Sequence, residues 1–402
     1  MSLFETMLNR IRVNFKSTFG NIQSRSISKP SVKCKVNVED KMQAWQIHSY
    51  GGLEELKLSN IRIPVIGRPT DVLIKVQASS VNPIDIAMTR GYGAAVLNFM
   101  RKTKGLTGGG QHNELELPLT LGRDFSGLIV SKGHGVGNRL KLGDQVWGVV
   151  PVEQQGCHAG YVAVDNNLVA LHPKNLSCVE AASILYAGLT AWSALWITGG
   201  LCYKSTMATR RNNRILVLGG SGGVGTLAIQ LAKAWNMHVI TTCSSDAVNL
   251  VEKLGADVVI DYKLDDADSK VITEGPYNII LDCANQGPHQ IRSKGYPHCT
   301  YITLNSPLLK NIDRHGLIAG TMKNIGELVK YNIPTMENKS FVKWGFFTPS
   351  QAGIVALQQF VETGEVVPVV KKVYRFQELP LAYDRVAQGH LRGKLVVDMR
   401  SY

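Results

Sequence analysis

The chain has 402 residues, 44% of them hydrophobic and 19% charged, and a net charge of +13. That is the composition of a globular protein with room for two domains or one large one. Residues 1–35 hold seven Lys/Arg against Glu5 alone, or +6 of the total; the remaining excess suits an anionic cofactor and does not point to nucleic acid.

The seven cysteines are scattered and form no C-x-x-C pair, which indicates neither a structural zinc site nor a disulfide framework and fits a reducing compartment. No uninterrupted apolar run reaches the length of a membrane span.

Residues 1–40 read as an address. Phe4, Met7, Leu8, Ile11 and Phe15 share one helical face, Arg10, Arg12 and Lys16 lie away from it, and a serine-rich, acid-poor stretch follows. A mitochondrial presequence has these properties, with cleavage expected between residues 25 and 40 and the matrix as destination. From Met42 the chain turns to short strands: 44–47, 56–58 and 71–78. Asn82-Pro83-Ile84-Asp85 breaks the pattern and predicts a turn and a short helix. Residues 101–114 are a loop by composition, and the sequence leaves open whether 101–117 is a lid, a membrane-surface contact or disorder. Gly122-Arg123-Asp124-Phe125-Ser126-Gly127, Gly143 to Gly148 and Gly160 to Val164 continue the strands between glycine turns, as in a compact β-barrel. Residues 178–197 turn helical. Strand candidates at 214–218, 238–242, 257–261, 278–282 and 301–304 then alternate with helices, which makes a doubly wound α/β domain. A helix at 351–361, a strand at 367–374, a helix at 379–388 and a strand at 394–399 return to the first style. The first domain is therefore read as discontinuous, with boundaries at 41–175, 176–340 and 341–402.

The stretch with chemical content runs from Arg214 to Trp235. Ile215 to Leu218 reads as a buried parallel strand, and Val224, Leu227, Ala228, Leu231 and Trp235 share one face of a following helix. Between them, Gly220, Gly222 and Gly225 fit G-x-G-x-x-G in the strand–turn–helix context that a dinucleotide pyrophosphate requires. Ser221, Gly222, Gly223 and Val224 are the expected cradle. The next strand ends in Cys243-Ser244-Ser245, where an NAD site carries Asp or Glu. Two hydroxyls and no carboxylate favour NADPH over NADH, with Asp246 as the alternative ribose ligand. No arginine is near in sequence, so Ser244 and Tyr262 or Lys263 are left to meet the 2′-phosphate; Tyr262 also reads as an ordinary strand-end aromatic.

Together, Ser80 to Asp85, Gly122 to Gly127, Gly143 to Trp147, Gly188 to Trp192, the glycine cluster and the ending Gly389-His390-Leu391-Arg392-Gly393-Lys394 resemble the zinc-free, quinone-reductase branch of the medium-chain dehydrogenase/reductase superfamily over residues 42–402. The resemblance implies a GroES-like catalytic domain beside a Rossmann domain, hydride transfer from NADPH to a quinone or enone, and a link to coenzyme Q metabolism. It also implies a homodimer and a reticulon-type or other mitochondrial protein partner. By the same resemblance Leu304, Gly345 and Phe347 close the nicotinamide side, and His390, Leu391 and Arg392 reach back to the cofactor. Asn82 and Asp85 stand where zinc dehydrogenases place a thiolate, and Arg123 replaces a histidine; Cys157-His158 reads as a surface turn, and no metal site is expected. Asn82 is a candidate to hydrogen-bond a substrate carbonyl or the nicotinamide ribose, and Tyr92 to line the pocket or donate a proton. Two departures from the branch stand out: Asp282 to Gly287 replaces Asp-x-x-Gly-Gly, and Leu185-Tyr186 stands where Leu-Pro is usual. A 2-enoyl thioester reductase and a cofactor-binding assembly factor with little turnover are the alternatives.

Overall fold

The computed structural model describes residues 40–107, 116–204, 213–333 and 340–400. Contacts divide the chain into Met1–Cys34 and Lys35–Tyr402, and every described residue belongs to the second unit. The expected presequence, Asp40 apart, lies outside the described residues, as does the middle of the 101–117 segment.

The first lobe contains β1 (Lys41–Ile47), β2 (Leu56–Arg62), β3 (Asp71–Val81), β4 (Leu119–Thr120), β5 (Asp124–Lys132), β6 (Gln145–Val149), β7 (Tyr161–Asp165) and β8 (Val169–Leu171). Its hub is β3, which pairs antiparallel with β5 and β7. Val72, Ile74 and Val76 alternate along β3 into one core with Phe125, Ile129 and Val162, while Leu73 on the opposite face joins a second, smaller core. After β3, helix α1 (Pro83–Thr89) starts with Pro83 in its first turn, and Asp85 accepts the N–H of Asn82 at 2.9 Å. Helix α2 (Ala94–Thr107) runs seven residues into the stretch expected as a loop. The helical stretch expected at 178–197 contains α3 (Leu185–Trp192), which widens into a π-helical turn at Ser193–Thr198.

The second lobe is a six-stranded sheet in the order β11-β10-β9-β12-β13-β14, parallel throughout. Its strands are β9 (Arg214–Leu218), β10 (His238–Cys243), β11 (Val258–Asp261), β12 (Tyr277–Asp282), β13 (His298–Thr303) and β14 (Phe341–Trp344). This is the dinucleotide-fold order 3-2-1-4-5-6. Both faces are covered, so β9 is apolar on both: Ile215 and Val217 join one core, Leu216 and Leu218 the other. Helix α4 (Gly223–Ala234) packs Leu227, Ala228 and Leu231 against the first of these. Helices α5 (Leu308–His315) and α6 (Leu317–Asn332) form a hairpin between β13 and β14. The sequence division at residue 341 separates β14 from this sheet; in the structure β14 is its outermost strand, paired with β13.

The chain then returns to the first lobe. β15 (Val370–Arg375) and β16 (Lys394–Asp398) extend the barrel sheet, whose order is β15-β16-β3-β5-β6-β8. β16 lies antiparallel to β3, with Leu395 opposite Val81, so the C-terminal strand closes a sheet begun near the start of the described chain.

The turn after β9 packs so closely on β10 that a Cβ at Gly220 would sit 2.0 Å from Thr241 Oγ1 and 2.8 Å from Ile229 Cδ1. Gly220→Ala is therefore expected to cost about 1–3 kcal/mol of unfolding free energy by overpacking. The check is the denaturant midpoint by circular dichroism, with Gly137→Ala, which meets nothing within 4 Å, as the unchanged control.

Candidate active site

The glycine turn is pinned from one side: Gly219 and Gly220 both donate their N–H to the carbonyl of Thr242 on β10, at 3.1 and 3.0 Å. Helix α4 then begins without a side-chain cap at Gly222, and the first amide bonded back to the turn is Thr226, to Gly222 O at 3.0 Å. The N–H groups of Gly223, Val224 and Gly225 are left to an external acceptor, at the positive end of the helix dipole. A Cβ at Gly222 would meet only Gly219 O, at 3.5 Å, so the protein's own packing does not require this glycine; the space stays open for something else. Beside it, a Cβ at Gly223 would lie 3.0 Å from Lys394 Cδ. Ser221 is buried, and its carbonyl accepts the Gly393 N–H at 2.9 Å. An uncapped helix end, an open cradle and an adjacent lysine stem fit the pyrophosphate of a dinucleotide.

At the end of β10 the structure supplies what the sequence reading found missing. Arg392, 148 positions from Ser244, donates from its guanidinium to Ser244 Oγ at 2.5 Å. It also forms an ion pair with Asp246, at 3.0 Å from Nη2 and 3.2 Å from Nε. Ser244 Oγ donates to the same carboxylate. The hydrogen bonds from Arg392 and Ser244 hold the Asp246 carboxyl well below the ordinary carboxylate range. Tyr262 stands at the end of neighbouring β11, 46% exposed, with its N–H on Cys243 O at 3.0 Å. This rim offers two chemistries to a ribose: Arg392 and Ser244 as donors to a 2′-phosphate, or Asp246 as acceptor from a 2′-hydroxyl. His390, with φ +50°, is exposed, and Leu391 is partly buried with its side chain packed against the barrel core.

On the opposite side, Gly345 donates its N–H to Thr303 O at 2.9 Å, and a Cβ there would meet Leu304 Cδ2 at 3.0 Å. Phe347 stacks on Tyr186 with ring centroids 4.3 Å apart. Tyr186 stands where the branch commonly has proline, and it uses the group that proline lacks: its N–H donates to Asp124 Oδ2 at 3.1 Å. In the other departure from the branch, Asp282 accepts from the N–H groups of Ala284 and Gly287, both at 3.0 Å, and from the Tyr301 hydroxyl at 2.6 Å. Asn285 pairs with Asn305, and Cys283 packs against the core, its thiol pushed up by burial.

The largest departure from expectation is beneath Asn82. Asn82 is buried, and its amide is already engaged: Nδ2 donates to Asp124 Oδ1 at 3.1 Å and Ser80 Oγ at 3.3 Å, and Oδ1 accepts from Lys394 Nζ. It positions other groups and has no donor left for a substrate carbonyl. Asp124 also accepts from Ser80 Oγ at 2.6 Å, and Arg123 Nε lies 3.8 Å from Asp85 Oδ1. Burial raises Asp85 and Asp124 and lowers Lys394, and the opposite charges work against those shifts. Sequence reasoning missed Lys394, Asp124 and Tyr186 as members of this cluster. The signal was present: Ser79, Ser80, Asn82, Asp85, Arg123 and Asp124 are polar residues in or beside strands that are otherwise buried. Tyr92 is partly buried and its hydroxyl makes no hydrogen bond among the described residues; burial, then the charge of Asp313, raises its pKa. Cys157 and His158 are fully buried, not on a surface turn, because His158 bridges the Tyr383 hydroxyl at 2.9 Å and Ser80 O at 3.2 Å. Among the described residues, no group of three or more His, Cys, Asp or Glu side chains is arranged to hold a metal ion.

Residues 68–174 match the family described as alcohol dehydrogenase GroES-like domain, and residues 254–397 match zinc-binding dehydrogenase. The chain is 48% identical over 368 residues to the NAD(P)H oxidoreductase RTN4IP1, mitochondrial, of Drosophila melanogaster, covering 90% of this chain and 87% of that one. It is 34% identical over 360 residues to the reticulon-4-interacting protein 1, mitochondrial, of Caenorhabditis elegans, covering 89% and 94%. Among solved structures it is similar to the quinone oxidoreductase from Coxiella burnetii, with a TM-score of 0.69 and 26% identity over 90% of this chain and all of that one.

His158 yields a pH prediction. Ser80 O can only accept, so Nε2 carries the proton and Nδ1 accepts from Tyr383; the ring is neutral, its pKa lowered by burial to about 4. The unfolded imidazole, at about 6.5, binds a proton that the folded one refuses. Stability is therefore expected to fall as pH drops through that window, by up to about 1.4 kcal/mol per pH unit from this residue, and to level off below the folded value. Urea titrations from pH 7 to pH 4 check this: His158→Gln should flatten the slope relative to wild type, and an equal slope would contradict it.

Proposed function

The chain belongs to the medium-chain dehydrogenase/reductase family, and on that premise we propose that this NAD(P)H-dependent oxidoreductase is mitochondrial, selects NADPH, and reduces a quinone or similar electron-poor acceptor without a metal. The observation that carries the cofactor choice is Arg392 on Ser244. A guanidinium and a hydroxyl at the end of the second parallel strand are the donors a 2′-phosphate needs, and Asp246 is the acceptor it displaces. The pyrophosphate falls to the amides of the Ser221–Val224 turn, and Tyr262 flanks the adenosine end.

When bound, the nicotinamide supplies the hydride; the protein's work is orientation, exclusion of water and control of protons. Leu304, Gly345 and Phe347 form the wall against which the ring is held. Lys394, Asn82 and Asp124 hold the floor of the barrel side rigid, and through the Tyr186 N–H they fix the aromatic pair Tyr186–Phe347. A flat apolar wall of this kind suits a planar quinone. Tyr92, kept protonated by burial and by Asp313, has a free hydroxyl to donate to an acceptor oxygen as it gains charge. The mitochondrial assignment, the matrix and the coenzyme Q link rest on the printed names of the relatives and on the basic, serine-rich start. A homodimer and a reticulon-type protein partner belong to the same reading.

The test is a fluorescence titration of the protein with NADPH and with NADH, followed by oxidation of NADPH with a short-chain quinone. NADPH is expected to bind more tightly, with Arg392→Gln removing about 10–100-fold of that preference. Gly222→Ala should weaken both cofactors. Tyr92→Phe is expected to lower kcat by about 100-fold if its hydroxyl donates in the transition state. Equal or tighter NADH binding would overturn the 2′-phosphate assignment. Turnover of a crotonyl thioester without quinone turnover would select the enoyl reductase instead, and no cofactor binding would leave an assembly factor.

A further inference from the structure

Helix α6 divides its polar and apolar residues unusually. Its packed side carries Gly320, Asn324, Glu327, Leu328 and Tyr331; Tyr331 packs on the sheet's apolar core, but the centre of the contact with α5 is polar: Asn311 Nδ2 donates to Asn324 Oδ1 at 2.7 Å and to Glu327 Oε1 at 3.2 Å, and Asn324 Nδ2 to Leu308 O at 3.0 Å. Its outer side carries Ile318, Met322, Ile325, Val329 and, one residue beyond the helix, Ile333, between 51% and 83% exposed. Steps of four, three, four and four residues put these five on one straight stripe. A helix that needed only to pack on the protein would carry this pattern the other way round. Isolated exposed apolar residues are ordinary, but a continuous stripe of branched aliphatics and methionine over four turns marks a contact surface.

The charges around the stripe specify what it contacts. Lys310, Arg314, Lys323 and Lys330 are exposed on α5 and α6, and among the described residues none forms an ion pair with a carboxylate; Lys323 Nζ meets only the His315 ring, at 3.2 Å. The two acids of the hairpin are already engaged. Asp313 accepts from Gly93 N at 2.6 Å and Ala95 N at 3.0 Å, and Glu327 accepts from Asn311. A second copy meeting the stripe would set unpaired cations against unpaired cations. An anionic lipid surface meets both demands at once, taking the apolar stripe below the headgroups and the lysines at their level. We propose that the α5–α6 hairpin docks this protein on an anionic bilayer.

The location gives the docking a use. Asp313 on α5 ties the hairpin to the Gly93 backbone beside Tyr92, and Leu309 Cδ1 lies 3.1 Å from where a Gly93 Cβ would be. A docked hairpin would place the Tyr92 side of the site next to the membrane in which a long-tailed quinone dissolves. That use rests on the quinone reading above; the docking itself does not.

The experiment is hydrogen exchange, read by mass spectrometry on the full chain, with and without vesicles of phosphatidylcholine and cardiolipin. Because the basic segment at residues 1–35 has its own affinity for anionic lipid, the readout is local. Amides of 317–333 are expected to exchange at least about tenfold more slowly with these vesicles, and less so with phosphatidylcholine alone. In the triple variant Ile318→Asp, Met322→Asp, Ile325→Asp this protection is expected to vanish while reduction of a water-soluble acceptor is unchanged. Vesicle binding that leaves 317–333 unprotected overturns the proposal. So does protection that appears without lipid and grows with protein concentration, which would assign the stripe to a second copy. Protection without any quinone turnover would leave the docking standing and remove the quinone reading.

Discussion

Lys394 is an ammonium with almost no access to water, and a cation so placed must find its partners inside the protein. It donates to Asn82 and faces Asp124 and Asp85, so the first residue of the last strand is held by residues from the first third of the chain. Its neighbours are committed elsewhere: Gly393 donates to the glycine turn at Ser221, and Arg392 binds Ser244 at the end of β10. Three consecutive residues thus join the barrel interior, the glycine turn proposed for the pyrophosphate and the rim proposed for the ribose. Removing one partner from such a buried web costs more than the web contributes when whole, typically about 3–5 kcal/mol, and this makes the geometry all-or-none.

The rim shows the opposite regime. Arg392 and Asp246 keep contact with water above the buried Ser244, and their ion pair is weak there. A pair of this kind is easily exchanged, which a binding group must be. Asp246 gives the guanidinium a resting partner without a deep energetic commitment, whereas the partners of Lys394 have none to exchange with.

Much of this was legible beforehand where the signal is local. Ile215 to Leu218 and the glycines after it left a local mark, because a parallel strand buried on both faces and a turn that admits no Cβ at Gly220 or Gly225 show within a dozen residues. The return of the C-terminal strands was legible from a change of style after Phe347. What local pattern did not show was long-range. Nothing near Ser244 announces an arginine 148 positions away, which only the family resemblance brought to the cofactor, and nothing near Asn82 announces that its amide is taken by Lys394. Cys157-His158 looked like a turn because cysteine and histidine next to glycine are not an apolar pattern, yet burial there is achieved by hydrogen-bonding the imidazole at both nitrogens. Helix α2 runs into a stretch that composition assigns to a loop, and Arg101, at the start of that stretch, is held by Glu153 O at 2.7 Å and by Glu116 at 2.9 Å.

The position of β16 also determines the order in which the protein can come into being. β3 is made well before its neighbour β16, whose Leu395 stands opposite Val81. The parallel lobe, whose strands are close in sequence, can assemble while synthesis continues, but the barrel sheet keeps an open edge until β16 emerges. Chains cut short by even a dozen residues would lack the rim arginine, the tie to the glycine turn and the lysine of the barrel cluster together. Completion of the barrel sheet and of the proposed cofactor site therefore arrives in one step, with the emergence of β16, and a chain without it lacks both.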